Sequence, residues 1–372
     1  MYFLVLVIGL FLMIIVHELG HLVCGYFSGN RFVSFRLFIW MWVKDDEGTI
    51  KFRKAPRSGN IVGQCLMEPC DEEKDFRFVL YNMGGGLANL IMGAITSVFF
   101  LIASNEELRF VLSLLVIANV IMGILNLIPV TVSGIPNDGR NVWEARKSDD
   151  ARRGFFTILK AHAEMARGKH LSDYDKDTFS VREGADLRNY FVTGKLLLHS
   201  AQLEELGDYE KSYQLLLLPD TAKLPRYYGG QLILNLIFHE LVYFGDELSV
   251  QRASSRMKER KNHQVFNKLL TTNPSFLPLQ AALVAFVDCD TDKAKELITR
   301  IRDFNSSQQN PGLEHSVTLK LDKMEARIET DNRDDALDEL EGFFAYTGQV
   351  HSVEEMNEAI TKKEVESFRS SD

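Results

Sequence analysis

Three stretches of the chain are apolar almost without a break, and nothing after residue 138 resembles them. From Tyr2 to Phe27 the only formally charged residue is Glu18, and there is none from Phe78 to Asn105 or from Phe110 to Asn137. Each stretch can supply the ~20 helical residues that cross a bilayer core, which predicts membrane helices over about 2–27, 78–104 and 110–129. Between the first two, residues 31–53 read RFVSFRLFIWMWVKDDEGTIKFR, rich in aromatic and β-branched side chains. The polar tract Asp45–Gly48 suits a turn, so a β-hairpin is expected within 31–66. Read as one strand, it places Phe35, Leu37, Ile39, Met41 and Val43 on one face and Phe38, Trp40 and Trp42 on the other. Both faces are apolar, as in a hairpin inserted against the membrane-domain interior or one anchored at the interface by its tryptophans.

Beyond about residue 145 charges are dense, prolines few, and amphipathic stretches of ~10–20 residues predict an all-α domain over 148–372. Ser212, Ala253, Ala294 and Ala336 recur at intervals of 41, 41 and 42 residues. Short polar turns (Gly207-Asp208, Asp290, Asn332) precede the helices that hold three of them. The period suggests stacked helical hairpins, a solenoid-like domain with a surface for a protein partner, and an irregular bundle is the alternative. Leu215–Leu218 reads as helix core, and Lys362–Asp372 as a polar tail. The expected class is therefore a membrane α-helical protein with a β-hairpin insertion and a helical-repeat domain.

The overall balance of 46% hydrophobic and 25% charged residues averages two unlike halves, and the net charge of −9 argues against nucleic acid as a partner. Cys24, Cys65, Cys70 and Cys289 have no CxxC spacing, so neither a disulfide framework nor a cysteine zinc site is implied. The first apolar stretch lacks a basic leader and a prompt cleavage site, and it is read as a retained helix. Nine Lys or Arg fall within 28–77, Arg109 alone in the next link, and Arg140, Arg146, Lys147, Arg152 and Arg153 after the third stretch. That asymmetry predicts a multi-pass protein with its N-terminus outside and its second half in the cytoplasm.

The chemistry lies in the first apolar stretch, which contains His17-Glu18-Leu19-Gly20-His21. Residues at i and i+4 share a helix face, so both imidazoles can reach one metal ion, and Glu18 can take a proton from water beside it. Ionisable groups in apolar surroundings are costly and usually functional. A catalytic zinc takes three protein ligands and an open position. Asp138, at the end of the third stretch and on the same side as His21, is the candidate third ligand. His239-Glu240 has no second histidine at position 243 and is not read as a metal site. His162, His170, His199, His263, His315 and His351 lack ligand spacing.

HELGH in the first stretch, Gly84-Gly85-Gly86-Leu87-Ala88-Asn89 in the second, and Asn126-Leu127-Ile128-Pro129 followed by Asn137-Asp138-Gly139 resemble the site-2 protease family of intramembrane zinc metallopeptidases. The resemblance covers residues 1–145. It implies a three-helix core holding one Zn2+ through His17, His21 and Asp138, with Glu18 as general base and Asn89 supporting the substrate or the oxyanion. Read from the residues alone, Asn89 could equally be an interhelical hydrogen-bonding group, and Asn82, Asn119 and Asn126 are read that way. The glycine run suits either close helix packing or a local break. Two departures stand out: Asn137 occupies a position where the family commonly has Leu, and Val130–Ile135 lengthens the loop before Asp138. By resemblance the activity is hydrolysis of peptide bonds in or near membrane spans, on single-span proteins such as anti-sigma factors or on signal-peptide remnants, in a bacterial plasma membrane. A membrane-anchored adaptor with a degenerate metal core is the competing reading.

Overall fold

The computed structural model describes residues 2–45, 47–55, 62–70, 72–132, 135–258, 269–270, 273–307 and 311–330. Helix α1 (Tyr2–Phe27) leads into a four-stranded antiparallel sheet of β1 (Arg31–Leu37), β2 (Trp40–Lys44), β3 (Ile50–Lys54) and β4 (Gly63–Glu68), ordered β3-β2-β1-β4. Helices α2 (Phe78–Ile102) and α3 (Glu106–Leu127) follow, then a small hairpin of β5 (Thr131–Val132) and β6 (Ile135–Pro136), and α4 (Asp138–Ala145). Asn105 caps α3, its side chain accepting from the Leu108 amide at 2.9 Å. The outward faces of α1–α3 remain apolar, with Phe3, Phe11, Ile91, Phe99, Ile117 and Ile121 all exposed. Three helices are thus long and apolar enough to cross a membrane.

The expected single strand through residues 35–43 is instead two strands. The chain turns at Phe38–Ile39, so Phe35 lies opposite Trp42, with ring centroids 6.2 Å apart. Continuous period-2 counting fails because Phe38 takes the left-handed backbone region (φ 53°). A parallel stack of its ring on Phe11 of α1, centroids 4.9 Å apart, accompanies that conformation. Strand β2 then pairs with β3, giving four strands where a hairpin was expected. The inner face of the sheet, through Phe35, Leu37, Cys65 and Met67, packs against Tyr81 of α2 and Ile14, Ile15 and Leu22 of α1.

The second half is helical: α5 (Asp149–Ala166), α6 (Tyr190–Glu205), α7 (Tyr209–Leu217), α8 (Arg226–Phe238), α9 (Glu247–Lys258), α10 (Leu277–Phe286), α11 (Thr291–Ser307) and α12 (Pro311–Thr330). Helix α8 runs on into a π-helical turn, His239–Phe244. Ser212, Ala253 and Ala294 are each fully buried, where only a small side chain lets neighbouring helices close up. Ala336, Asn332, His263, His351 and the tail from Lys362 lie outside the described residues. Of the Leu215–Leu218 run only Leu216 is buried; Leu217 and Leu218 are exposed because α7 ends at Leu217.

The two halves share a core. Phe76, just before α2, and Phe78, its first residue, interlock with Phe155 and Phe156 of α5, and Phe155 stacks on Phe191 at 4.3 Å. Two ion pairs flank the contact, Arg167–Glu68 and Arg153–Glu73, each 2.9 Å.

Candidate metal centre

Helix α1 is continuous through HELGH, and its buried residues there are His17, Glu18, Gly20 and His21. Gly20 faces α2: a Cβ on it would stand 2.3 Å from the Gly84 carbonyl oxygen, and one on Gly84 would stand 2.4 Å from that of Gly20. Two glycines at the crossing therefore bring the backbones of α1 and α2 into direct contact. Helix α2 has no break, so of the two readings of the glycine run it is close packing that the backbone adopts. Gly85 lies over the histidines. A Cβ there would be 2.5 Å from Nε2 of His21 and 2.6 Å from Nε2 of His17.

The contacts around the rings fix their tautomers. Nδ1 of His21 donates to the Tyr81 carbonyl at 2.9 Å, an atom that can only accept. Nδ1 of His17 lies 2.7 Å from Oδ1 of Asn89. The Asn89 amide is oriented by its own donations, to Met13 O at 3.0 Å and Asn119 Oδ1 at 3.3 Å, so its oxygen accepts from His17. With both Nδ1 atoms donating, each ring in its neutral form presents a lone pair at Nε2.

Those lone pairs converge. The two Nε2 atoms are 3.2 Å apart, and Oδ2 of Asp138 lies 3.4 Å from His17 Nε2 and 3.3 Å from His21 Nε2. Three acceptors facing one another require a cation among them, either a proton on one ring or a metal ion. A tetrahedral zinc with bonds of about 2.0–2.1 Å holds its ligand atoms about 3.3–3.4 Å apart. The triangle is near-equilateral at that size, and its donors, two imidazoles and a carboxylate, are zinc-type. The residues thus fit the ion. Among the described residues this is the group of metal-type side chains close enough to share one.

Glu18 is buried beside the triangle and faces β4. The Cys65 amide is directed at its carboxylate, and a Cβ on Gly63 would be 2.4 Å from Oε1. The Cys65 carbonyl accepts from the Tyr81 hydroxyl at 2.7 Å. Tyr81 thus joins His21 to the strand beside the general-base candidate. Burial, and after it the Glu18 carboxylate, push the Cys65 thiol up to about 12.

Asn89, expected by resemblance to support the oxyanion, is fully buried with its amide engaged by His17, Met13 and Asn119. Asn82, Asn119 and Asn126, read as bonding between helices, each donate instead to the carbonyl four residues back in their own helix, at Phe78, Leu115 and Met122, and of the three Asn119 also accepts across helices, from Asn89. Tyr81, Cys65 and Gly63 have no place at the site in the sequence reading, and Gly85 enters it only as a member of the glycine run. For Tyr81 and Gly85 a signal existed, since they lie one helical turn apart on a helix carrying three consecutive glycines.

His239 is buried in a structural network: its Nδ1 donates to Asn235 O at 2.9 Å, and its Nε2 lies 2.9 Å from Ser212 Oγ. Its neighbour Glu240 accepts from Tyr213 Oη at 2.6 Å and Arg256 Nε at 3.0 Å. No family model, no curated protein and no solved structure matches this chain.

Proposed function

We propose that the chain is an intramembrane zinc metalloendopeptidase that hydrolyses peptide bonds in or near transmembrane segments. The observation that carries this reading is the convergence of His17 Nε2, His21 Nε2 and Asp138 Oδ2, three acceptors at zinc-ligand spacing, beside a buried glutamate on an apolar helix. His17, His21 and Asp138 would hold the ion. When bound, it supplies Lewis acidity toward a water and toward the scissile carbonyl. Glu18 accepts the proton from that water and returns it to the departing amine, so no covalent intermediate is needed. Asn89 and the Tyr81 carbonyl hold the two rings with Nε2 forward, the outer-shell role that sets ligand orientation.

Helical substrates have their carbonyls locked in hydrogen bonds, so a span must open locally before it is cut. Strand β4 is an edge of the sheet and lies against Glu18; because its Cys65 amide and carbonyl are engaged by Glu18 and the Tyr81 hydroxyl, an opened segment would pair there by β-augmentation only by displacing those contacts. The helical second half, packed onto the start of α2 through its aromatic cluster, is suited to hold a protein partner or to present substrate. The working environment is a cell membrane, with the second half in the cytoplasm.

The test is the zinc content of detergent-purified protein, together with cleavage of a membrane-embedded reporter. About one zinc per chain in wild type and Glu18→Gln, and loss of zinc in Asp138→Ala, is the expected result, with Glu18→Gln inactive. Wild type that neither carries nor takes up zinc would sink the reading and favour the membrane-anchored adaptor.

A further inference from the structure

Asp138 is presented to the two histidines from the end of an excursion, residues 128–137, that leaves α3 and returns as the β5–β6 hairpin. Thr131 pairs with Pro136 and Val132 with Ile135, which brings the return strand alongside the outgoing one. Such a detour leaves the position of the next residue to whatever fastens its return.

The fastening is one side chain. Oδ1 of Asn137 accepts from the Arg140 amide at 2.8 Å, which caps α4, and from the Val130 amide at 3.2 Å. Its Nδ2 donates to the Ile128 carbonyl at 2.8 Å and to the Leu125 carbonyl. Leu125 is in the last turn of α3, where carbonyls lack helical partners. Asn137 therefore closes the end of α3 and the start of α4 at once, and its own amide donates to Val130 O at 3.2 Å. On the far side of Asp138, a Cβ on Gly139 would lie 2.4 Å from the Leu127 carbonyl oxygen, so the first turn of α4 rests directly on the end of α3. A leucine at 137 could make none of these side-chain bonds. The asparagine and the lengthened loop belong together.

We propose that Asn137 is a positioning residue for the metal centre, setting the Asp138 carboxylate at ligand distance by clamping the hairpin to α3. The proposal rests on the zinc reading above. Ser at 137 keeps an acceptor for the α4 cap but has no amide donors for Leu125 and Ile128. Asp keeps the acceptors and also loses the donors.

The experiment uses full-length protein in detergent, wild type beside Asn137→Ser and Asn137→Asp. Zinc affinity is measured by chelator competition, the visible spectrum is recorded with cobalt(II) in place of zinc, and thermal unfolding is followed without metal. Outer-shell losses typically weaken metal binding by about 10–100-fold. The expected result is a weakening in that range in Asn137→Ser with an altered cobalt spectrum, while the metal-free unfolding temperature stays near wild type. Wild-type affinity and spectrum in Asn137→Ser would overturn the proposal. So would a metal-free protein destabilised in step with its lost affinity, which would make Asn137 a structural cap only. If the Ser variant does not fold, the same two outcomes are read from Asn137→Asp, and failure of both to fold likewise assigns Asn137 to folding alone. Wild type that binds neither metal removes the zinc reading itself, a result distinct from the others.

Discussion

The Asn89 side-chain oxygen accepts a 2.7 Å hydrogen bond from Nδ1 of His17, reaching from α2 to α1 across 72 positions of sequence. Asn89→Ala leaves that ring without its orienting partner. Zinc affinity is expected to fall about 10–100-fold. Asn89→Asp, which keeps an acceptor oxygen, should lose less; chelator competition on the two variants checks the order. Equal affinity in wild type and Asn89→Ala would remove the positioning role.

Gly85 leaves the space over both Nε2 atoms open. A methyl group there stands 2.5 Å from His21 Nε2, closer than van der Waals contact allows, so one ring must move. Gly85→Ala is expected to lose most of its zinc while keeping its helical circular dichroism, since Ala favours helix by about 1 kcal/mol over Gly. Metal analysis beside far-UV spectra reads both. Full zinc occupancy in Gly85→Ala would show that the rings do not meet an ion on that side.

Cys65 lies at the β4–Glu18 contact with its thiol raised to about 12, whereas Cys289 is exposed. At pH 8 only ~10⁻⁴ of such a thiol is ionised, and the thiolate is the reactive form. Iodoacetamide should therefore label Cys289 well before Cys65, with Cys65 labelling rising as pH climbs toward 12. Mass spectrometry of the labelled peptides gives the ranking, and comparable rates at pH 8 would mean that β4 does not stay on Glu18.

In the helical half, Lys320 Nζ lies 3.1 Å from Glu204 Oε2, with both side chains largely buried. Burial opposes the Glu204 charge, but Lys320, then His239, outweigh it and hold the carboxyl below its ordinary value. A depressed folded value means that this stabilisation is complete above the unfolded value near ~4.3 and fades as pH falls through the folded one. Lys320→Met strands the carboxylate and should cost about 3–5 kcal/mol at neutral pH. The double variant with Glu204→Gln should recover much of that, as urea unfolding would measure. A single-variant loss below ~1 kcal/mol would place the pair in solvent.

Much of the site was legible because its logic is local. The spacing of His17 and His21 places both rings on one helix face, and three stretches, charge-free but for Glu18, are long enough for three apolar helices whatever the fold around them. Polar turns at Asp208 and Asp290 marked helix starts for the same reason, since short acceptor side chains cap free amides. The sheet was less legible. A left-handed Phe38 changes the register of everything after it, and the Phe11 ring stacked on it comes from another element.

The sequence by itself determined the helix periods, the donor types and the order of the motifs, because these depend on neighbours within a turn or two. Only the tertiary structure decided which atoms meet. The Gly20–Gly84 crossing sets how closely α2 covers the histidines, Tyr81 ties His21 to β4, and Asn137 fastens the hairpin that carries Asp138. Each joins residues 9 to 64 positions apart or caps one helix with the start of another. Such pairings follow from shape and hydrogen-bond satisfaction in the packed molecule, which no local pattern encodes.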